Sequence, residues 1–384
     1  MSRTAVQFGA GNIGRGFLGQ LFHESGLEVV FVDVAPDLLG ALNARHEYAI
    51  HIVGPGAEEV RITDVRGVDG RDREAVAREV ADCEVACTAA GAGALKHVAP
   101  NLAAGLLLRH RERRGPLNVL ICENLHGANA VLRGLAAECL PEGERDEILA
   151  KTGFVQAVVS RMVPLQTAAD NGGDPLAIRV EAYKRLPVDG CSAVGNLPAI
   201  SGVEPVGNFL AHVERKLYTH NCAHATLGYL GYARGIEFGY EALADPSIAA
   251  TLREVLSETG EALIRKHGFD RGEHTAHVDD LLARFANREL GDTCFRLARD
   301  PIRKLAPHDR LVGAARLCES QGVEPVALAG VIGAAFRFDS PDDTSAVELQ
   351  EMLHEHGIEW LLKDDGIGPD DPLGRRIIAA YRGE

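Results

Sequence analysis

The sequence lacks an excess of positive charge: 40 Lys and Arg stand against 55 Asp and Glu, a formal net charge of −15. A nucleic acid or an anionic membrane would meet general repulsion, so neither is expected as a partner. The one dense basic run, Arg109-His-Arg-Glu-Arg-Arg114, precedes Gly115-Pro116 and reads as the cationic last turn of a helix followed by a stop. Paired C-x-x-C cysteines are missing too. The eight cysteines (Cys83, Cys87, Cys122, Cys139, Cys191, Cys222, Cys294 and Cys318) are scattered, several in apolar runs, and read as buried free thiols of a reducing compartment. The longest apolar run, Val326 to Phe336, is too short for a hydrocarbon layer of about 30 Å. The start of the chain has no basic segment leading into an apolar core, so no secretory signal is read and a cytoplasmic location is expected. Repeats and low-complexity tracts are absent, and 384 residues with 46% hydrophobic content favour a globular chain of two domains.

What is present begins at residue 4. The apolar run Thr4-Ala-Val-Gln-Phe8 leads into Gly9-x-Gly11-x-x-Gly14 and then a helical pattern. Glycine permits the tight turn and a close backbone approach, and the helix that follows presents its first N–H groups to a pyrophosphate. A second strand-like run, Glu28 to Asp33, ends in an acid nineteen residues after Gly14, where a carboxylate accepts from a ribose 2′-OH and repels a 2′-phosphate. The expected cofactor is therefore NAD, with Gly9, Gly11, Asn12, Ile13, Gly14 and Asp33 in its site.

Strand-like runs at 4–8, 28–33, 83–89 and 117–122 alternate with helical periods, which predicts a doubly wound parallel α/β sheet of Rossmann type. Runs at 48–53 and 59–67 read as an inserted hairpin, and Leu176 to Leu186 as a further extended stretch. From about residue 207 the pattern is helical, with breaks at Gly268, Asp300-Pro301, Pro307, Pro325 and Pro341. The expected division is a cofactor domain over 1–195 and an all-helical substrate domain over 196–384 that covers the cofactor cleft. Ligands bind beyond the carboxyl ends of such strands, which adds Thr88, Ala89, Glu123 and Asn124 as candidates. Asn124 reads either as a donor to a substrate oxygen or as the cap of a helix starting at Leu125.

The stretch Val213 to His224 carries Lys216, Asn221 and His224 on one predicted helix, at about 0°, 140° and 80° around its axis with 3.6 residues per turn. A base with two hydrogen-bonding groups suits proton transfer. Asn is a poor helix former with little reason to sit there otherwise. His220 and His224 are four apart, a metal-ligand spacing, but Asn221 stands where the zinc-protease pattern has Glu and no third ligand is near in sequence. Metal-free chemistry is favoured: Lys216 as the base, its pKa lowered by burial, with Asn124 and Asn221 as oxyanion donors.

These residues resemble the polyol-specific long-chain dehydrogenase/reductase, or mannitol dehydrogenase, family from end to end. The likeness is carried by Phe8 to Phe17, Leu42-Asn-Ala-Arg-His46, Cys122-Glu-Asn124, Val213-Glu-Arg-Lys-Leu217, Arg303-Lys-Leu305 and Asp309-Arg-Leu311, and most specifically by Lys216-x4-Asn221-x2-His224. The stretch Leu165 to Asp174 departs from the family's bacterial sugar-phosphate members. The resemblance implies reversible, metal-independent oxidation of D-mannitol 1-phosphate to D-fructose 6-phosphate with NAD, in a monomer or homodimer. It assigns Lys216 as general base, Asn124 and Asn221 as oxyanion donors, and His224 as a substrate-orienting group. A phosphorylated substrate needs cations, and Arg303, Lys304, His308 and Arg310 cluster around Pro307 to supply them. The alternatives are a reductase of a related sugar, polyol or cyclitol phosphate, or a non-catalytic NAD sensor, which has no need of the Lys216 set.

Overall fold

The computed structural model describes residues 3–164, 166, 167 and 169–384. Leu165 and Ala168, in the departing stretch, lie outside the described residues. The chain forms two compact units, residues 1–209 and residues 210–384.

Among the described residues the first unit has eleven strands: β1 (Thr4–Phe8), β2 (Glu28–Asp33), β3 (Glu47–Ile52), β4 (Glu58–Thr63), β5 (Val65–Asp69), β6 (Val85–Thr88), β7 (Leu117–Ile121), β8 (Thr152–Gln156), β9 (Ile178–Val180), β10 (Leu186–Asp189) and β11 (Val203–Val206). Six of them make one sheet in the order β5-β2-β1-β6-β7-β8, parallel throughout. The order reverses between β1 and β6, so the crevice for a ligand opens at the carboxyl ends of those two strands. Side chains alternate across the sheet. Ala5, Val29, Phe31, Val85, Cys87, Leu120 and Val155 pack on one face, and Val6, Phe8, Val30, Val32, Ala86, Val119, Ile121 and Phe154 on the other. Both faces are buried, as in doubly wound folds.

The hairpin reading holds for β3 and β4, which pair antiparallel from Glu47↔Thr63 to Ile52↔Glu58. The predicted run 59–67 is broken, however. Asp64, at φ 55°, turns the chain so that Val65 onward leaves the hairpin and becomes the edge strand β5 beside β2. β9 then joins β3 in parallel, making a three-stranded sheet β4-β3-β9. Six cysteines are buried, while Cys139 and Cys191 are exposed, against the expectation for all eight.

The second unit is helical. Its core surrounds Val326–Phe336, the longest apolar run, which packs with Leu328, Val331, Ile332 and Phe336 among neighbours such as Leu263, Leu317 and Ile377. Glu258 caps this helix from the side: its carboxylate accepts from the backbone N–H groups of Ala327 (2.7 Å) and Leu328 (3.1 Å), two donors that no helical turn could satisfy. The long helix Pro246–His267 starts at Asp245, whose side chain caps Ser247 and Ile248, and stops at Gly268 in the left-handed conformation. Among the described residues no helix is long and apolar enough to cross a membrane.

Candidate active site

The cofactor half is assembled at the carboxyl ends of β1, β2, β6 and β7. Gly9 sits at φ 93°, and a Cβ there would meet the Ala89 carbonyl oxygen at 2.6 Å; a Cβ on Gly14 would lie 2.0 Å from the Gly9 oxygen. Around Gly11, by contrast, nothing lies within 4 Å of a built Cβ, so an open cradle faces the start of the helix at Asn12 and Ile13. A pyrophosphate fits this arrangement of tight turn, open glycine and helix N-terminus. The first turn after the glycines is π-helical over Gly14–Leu18, with the Gly19 N–H reaching back five residues to Gly14. Arg15, buried beneath it, ties Ala10 to the chain at Pro175 and Leu176.

Asp33 is close to the glycine turn. One carboxylate oxygen accepts from the Ala10 N–H (2.7 Å), the other from Val34 (2.7 Å) and Ala35 (3.1 Å). The oxygen bonded to Ala10 keeps a second lone pair for a ribose hydroxyl. Thr88 is fully buried, so the loop after β6 can offer a ligand only Ala89 to Gly91. Asn124 is exposed, and its side chain makes no hydrogen bond among the described residues. It caps no helix, because the next one begins at Ala128 behind Gly127, at φ 66°.

In the helical unit the predicted α-helix at Lys216 is a different object. The helix Phe209–Arg215 runs into a π-helical turn, Lys216–Asn221, before continuing as Cys222–Tyr232, and the Cys222 N–H reaches back five residues to Leu217. The angular positions expected from 3.6 residues per turn therefore do not apply. A turn closed between residues five apart brings Lys216 and Asn221 toward one face, where an α-helix would separate them. Such turns recur at functional sites. The helix is pinned by Glu214, which bonds His267 (2.7 Å) and Lys266 (2.9 Å).

Burial of the Lys216 ammonium, with Arg310 and Arg303 close by and only Asp309 opposing them, lowers its pKa to about 8. Burial and the surrounding cations push His220 and His224 well below the ordinary imidazole value, so both are neutral at physiological pH. His224 stacks on Phe285 with ring centroids 4.2 Å apart, and His220 meets it edge-on at 4.7 Å. Phe285 lies at the end of a helix sixty-one residues further on, and no local pattern announces it. Asn221 is 7% exposed, and its side-chain amide is left without a partner among the described residues.

The four basic candidates separate. Arg310 holds Asp309 (2.7 Å), which also receives Arg303 (3.4 Å), and Arg303 bonds Asp300 as well. Arg303 and His308 are exposed. Lys304 is different: it is 4% exposed, and its ammonium donates to the Leu297 carbonyl oxygen. Burial beside Arg310 and Arg303 brings its pKa down to about 7. Its ammonium is spent inside the fold, which leaves Arg303 and His308 exposed and Arg310 largely buried against Asp309. Among the described residues no three His, Cys, Asp or Glu side chains converge in a metal-ligating group.

A doubly wound parallel sheet with an open glycine cradle and a separate helical unit carrying a desolvated lysine defines a dehydrogenase of the dinucleotide-binding class. The mannitol dehydrogenase Rossmann domain matches residues 3–202, the mannitol dehydrogenase C-terminal domain matches residues 208–366, and the chain belongs to that family. It is 41% identical over 370 residues to the mannitol-1-phosphate 5-dehydrogenase of Brevibacillus brevis, covering 96% of this chain and 95% of the relative. The enzyme of the same name from an Arthrobacter species is 40% identical over 378 residues, covering 98% and 97%. The fold is also that of Pseudomonas fluorescens mannitol 2-dehydrogenase, solved with NAD and D-mannitol: TM-score 0.75 at 17% identity, over 100% of this chain and 91% of that one.

Proposed function

We propose that the protein is an NAD-dependent, metal-independent dehydrogenase that interconverts D-mannitol 1-phosphate and D-fructose 6-phosphate. The observation that carries this reading is Lys216, a desolvated lysine with a pKa of about 8, in the same π-helical turn as Asn221, in a chain about 40% identical to enzymes named for that polyol phosphate.

Bound NAD supplies the hydride acceptor in oxidation and the donor in reduction. Lys216, neutral, takes the proton from the substrate hydroxyl oxygen during oxidation, and as the ammonium it returns that proton during reduction. Asn221 donates its amide N–H to the same oxygen as negative charge develops there, and Asn124 is proposed as a second donor. Neutral His224 donates or accepts at a neighbouring hydroxyl and so orients the polyol. Arg310 and Arg303 are proposed to grip the phosphate through paired N–H groups, with His308 at the rim. Asp33 takes the adenosine ribose hydroxyls and disfavours a 2′-phosphate.

The test is oxidation of D-mannitol 1-phosphate and of D-mannitol, each with NAD+ and with NADP+, before and after exposure to a chelator. The expected result is chelator-resistant NADH production from the phosphate alone. Turnover of another polyol or cyclitol phosphate in its place would keep the mechanism and change the substrate.

A further inference from the structure

The cofactor half contains a buried acid that the proposed chemistry does not use. Glu123 lies two residues beyond the end of β7 and is 7% exposed. Its side chain turns across to the loop after β6, where one carboxylate oxygen accepts from the Ala90 N–H (3.0 Å) and the other from the Gly91 N–H (2.9 Å). That loop also abuts the glycine turn, since a Cβ on Gly9 would lie 2.6 Å from the Ala89 oxygen. Burying a carboxylate is costly unless its lone pairs are used, and a carboxylate is the side chain that can accept two backbone N–H groups through two separate oxygens. A glutamine here would turn an NH2 toward one of those N–H groups.

In an open sheet of this order the dinucleotide lies across the switch point, one nucleotide to each side. Asp33 on β2 marks the adenosine side, so the ends of β6 and β7 belong to the nicotinamide side. We propose that Glu123 is a positioning residue that holds the 88–91 loop for the nicotinamide nucleotide and supplies a fixed negative charge favouring the oxidised, cationic ring over the neutral reduced one. The inference rests on the NAD reading. A buried charge attracts another by more than thermal energy at separations up to about 10 Å, and salt screens it little.

Separate calorimetric titrations of NAD+ and NADH into the wild type, Glu123→Gln and Glu123→Asp test this. Glu123→Gln should raise both Kd values, that of NAD+ by about three- to ten-fold more than that of NADH. Glu123→Asp keeps the charge but is too short to reach both N–H groups. Both its Kd values should rise together, with their ratio within about two-fold of the wild type. A glutamine variant with the wild-type ratio, or an aspartate variant that loses the ratio, overturns the charge role. Unchanged affinities in either variant overturn the positioning role. Should the glutamine variant fail to fold, Glu123→Met, of similar length and uncharged, takes its place in the ratio comparison. A wild type that binds neither nucleotide would instead overturn the NAD reading.

Discussion

The imidazole of His224 lies nearly flat on the ring of Phe285, their planes 23° apart and their centroids separated by 4.2 Å, while the ring of His220 stands across it at 87°. Two rings thus fix the plane of a neutral imidazole whose nitrogens have no protein partner among the described residues. Phe285→Leu keeps bulk but loses the flat face. It should raise the KM for sugar phosphate several-fold with a smaller effect on kcat, and Phe285→Tyr should restore the wild-type value. Steady-state kinetics of the two variants check this, and an unchanged KM in the leucine variant would deny the stack any part in binding.

The pKa of Lys216, about 8 against an ordinary 10.5, sets opposite pH dependences for the two directions. Oxidation needs the neutral amine, so kcat/KM should rise about tenfold per pH unit below about 8 and level off above it. Reduction needs the ammonium and should decline above the same value. Matching limbs in the two profiles, absent in Lys216→Ala, would assign them to this residue.

Asp33 holds the glycine turn through Ala10 as well as standing where a ribose would bind. Asp33→Ala should therefore weaken NADH and NADPH alike through the slackened turn, yet narrow the preference for NADH by about tenfold. Fluorescence titrations with each nucleotide would separate the two effects: a general loss with an unchanged ratio would leave the acid a purely structural role.

His274 is 4% exposed, neither ring nitrogen has a hydrogen-bond partner among the described residues, and burial beside Arg215 and Arg271 lowers its pKa to about 4. The unfolded chain binds a proton near pH 6.5 and the folded one only near 4, so folding stability falls as pH drops through that window and is unaffected above it. The loss is about 2 kcal/mol once residual solvent screening is allowed for. Denaturant melts of wild type and His274→Leu at pH 7 and pH 5 should diverge accordingly, with the wild type losing more.

Much of this was legible along the chain, because Gly9, Gly11, Gly14 and Asp33 act through backbone conformation and spacing, which a sequence displays directly. Strand β8, Thr152–Gln156, was not. It is short, contains Gly153 and follows a helix with no turn signal between, so only its pairing with β7 makes it a strand. The division of 59–67 turned on one left-handed residue, Asp64. At the site, Lys216, Asn221 and His224 were visible as residue types, but their π-helical turn has no sequence period. Phe285 and the Glu123 hydrogen bonds are tertiary contacts made by side chains with no local signature. Lys304 looked like one more phosphate cation because sequence proximity to Arg303 says nothing about which side chain is buried.

The most direct measurement follows NADH oxidation by the wild type and Lys216→Ala with D-fructose 6-phosphate, and with D-fructose in parallel, alongside NADH binding to both proteins. The account predicts rapid turnover of the phosphate by the wild type, little of the unphosphorylated sugar, and a variant that binds NADH normally but is slowed at least about a thousandfold. Substantial turnover by Lys216→Ala, or equal use of both sugars by the wild type, would contradict it.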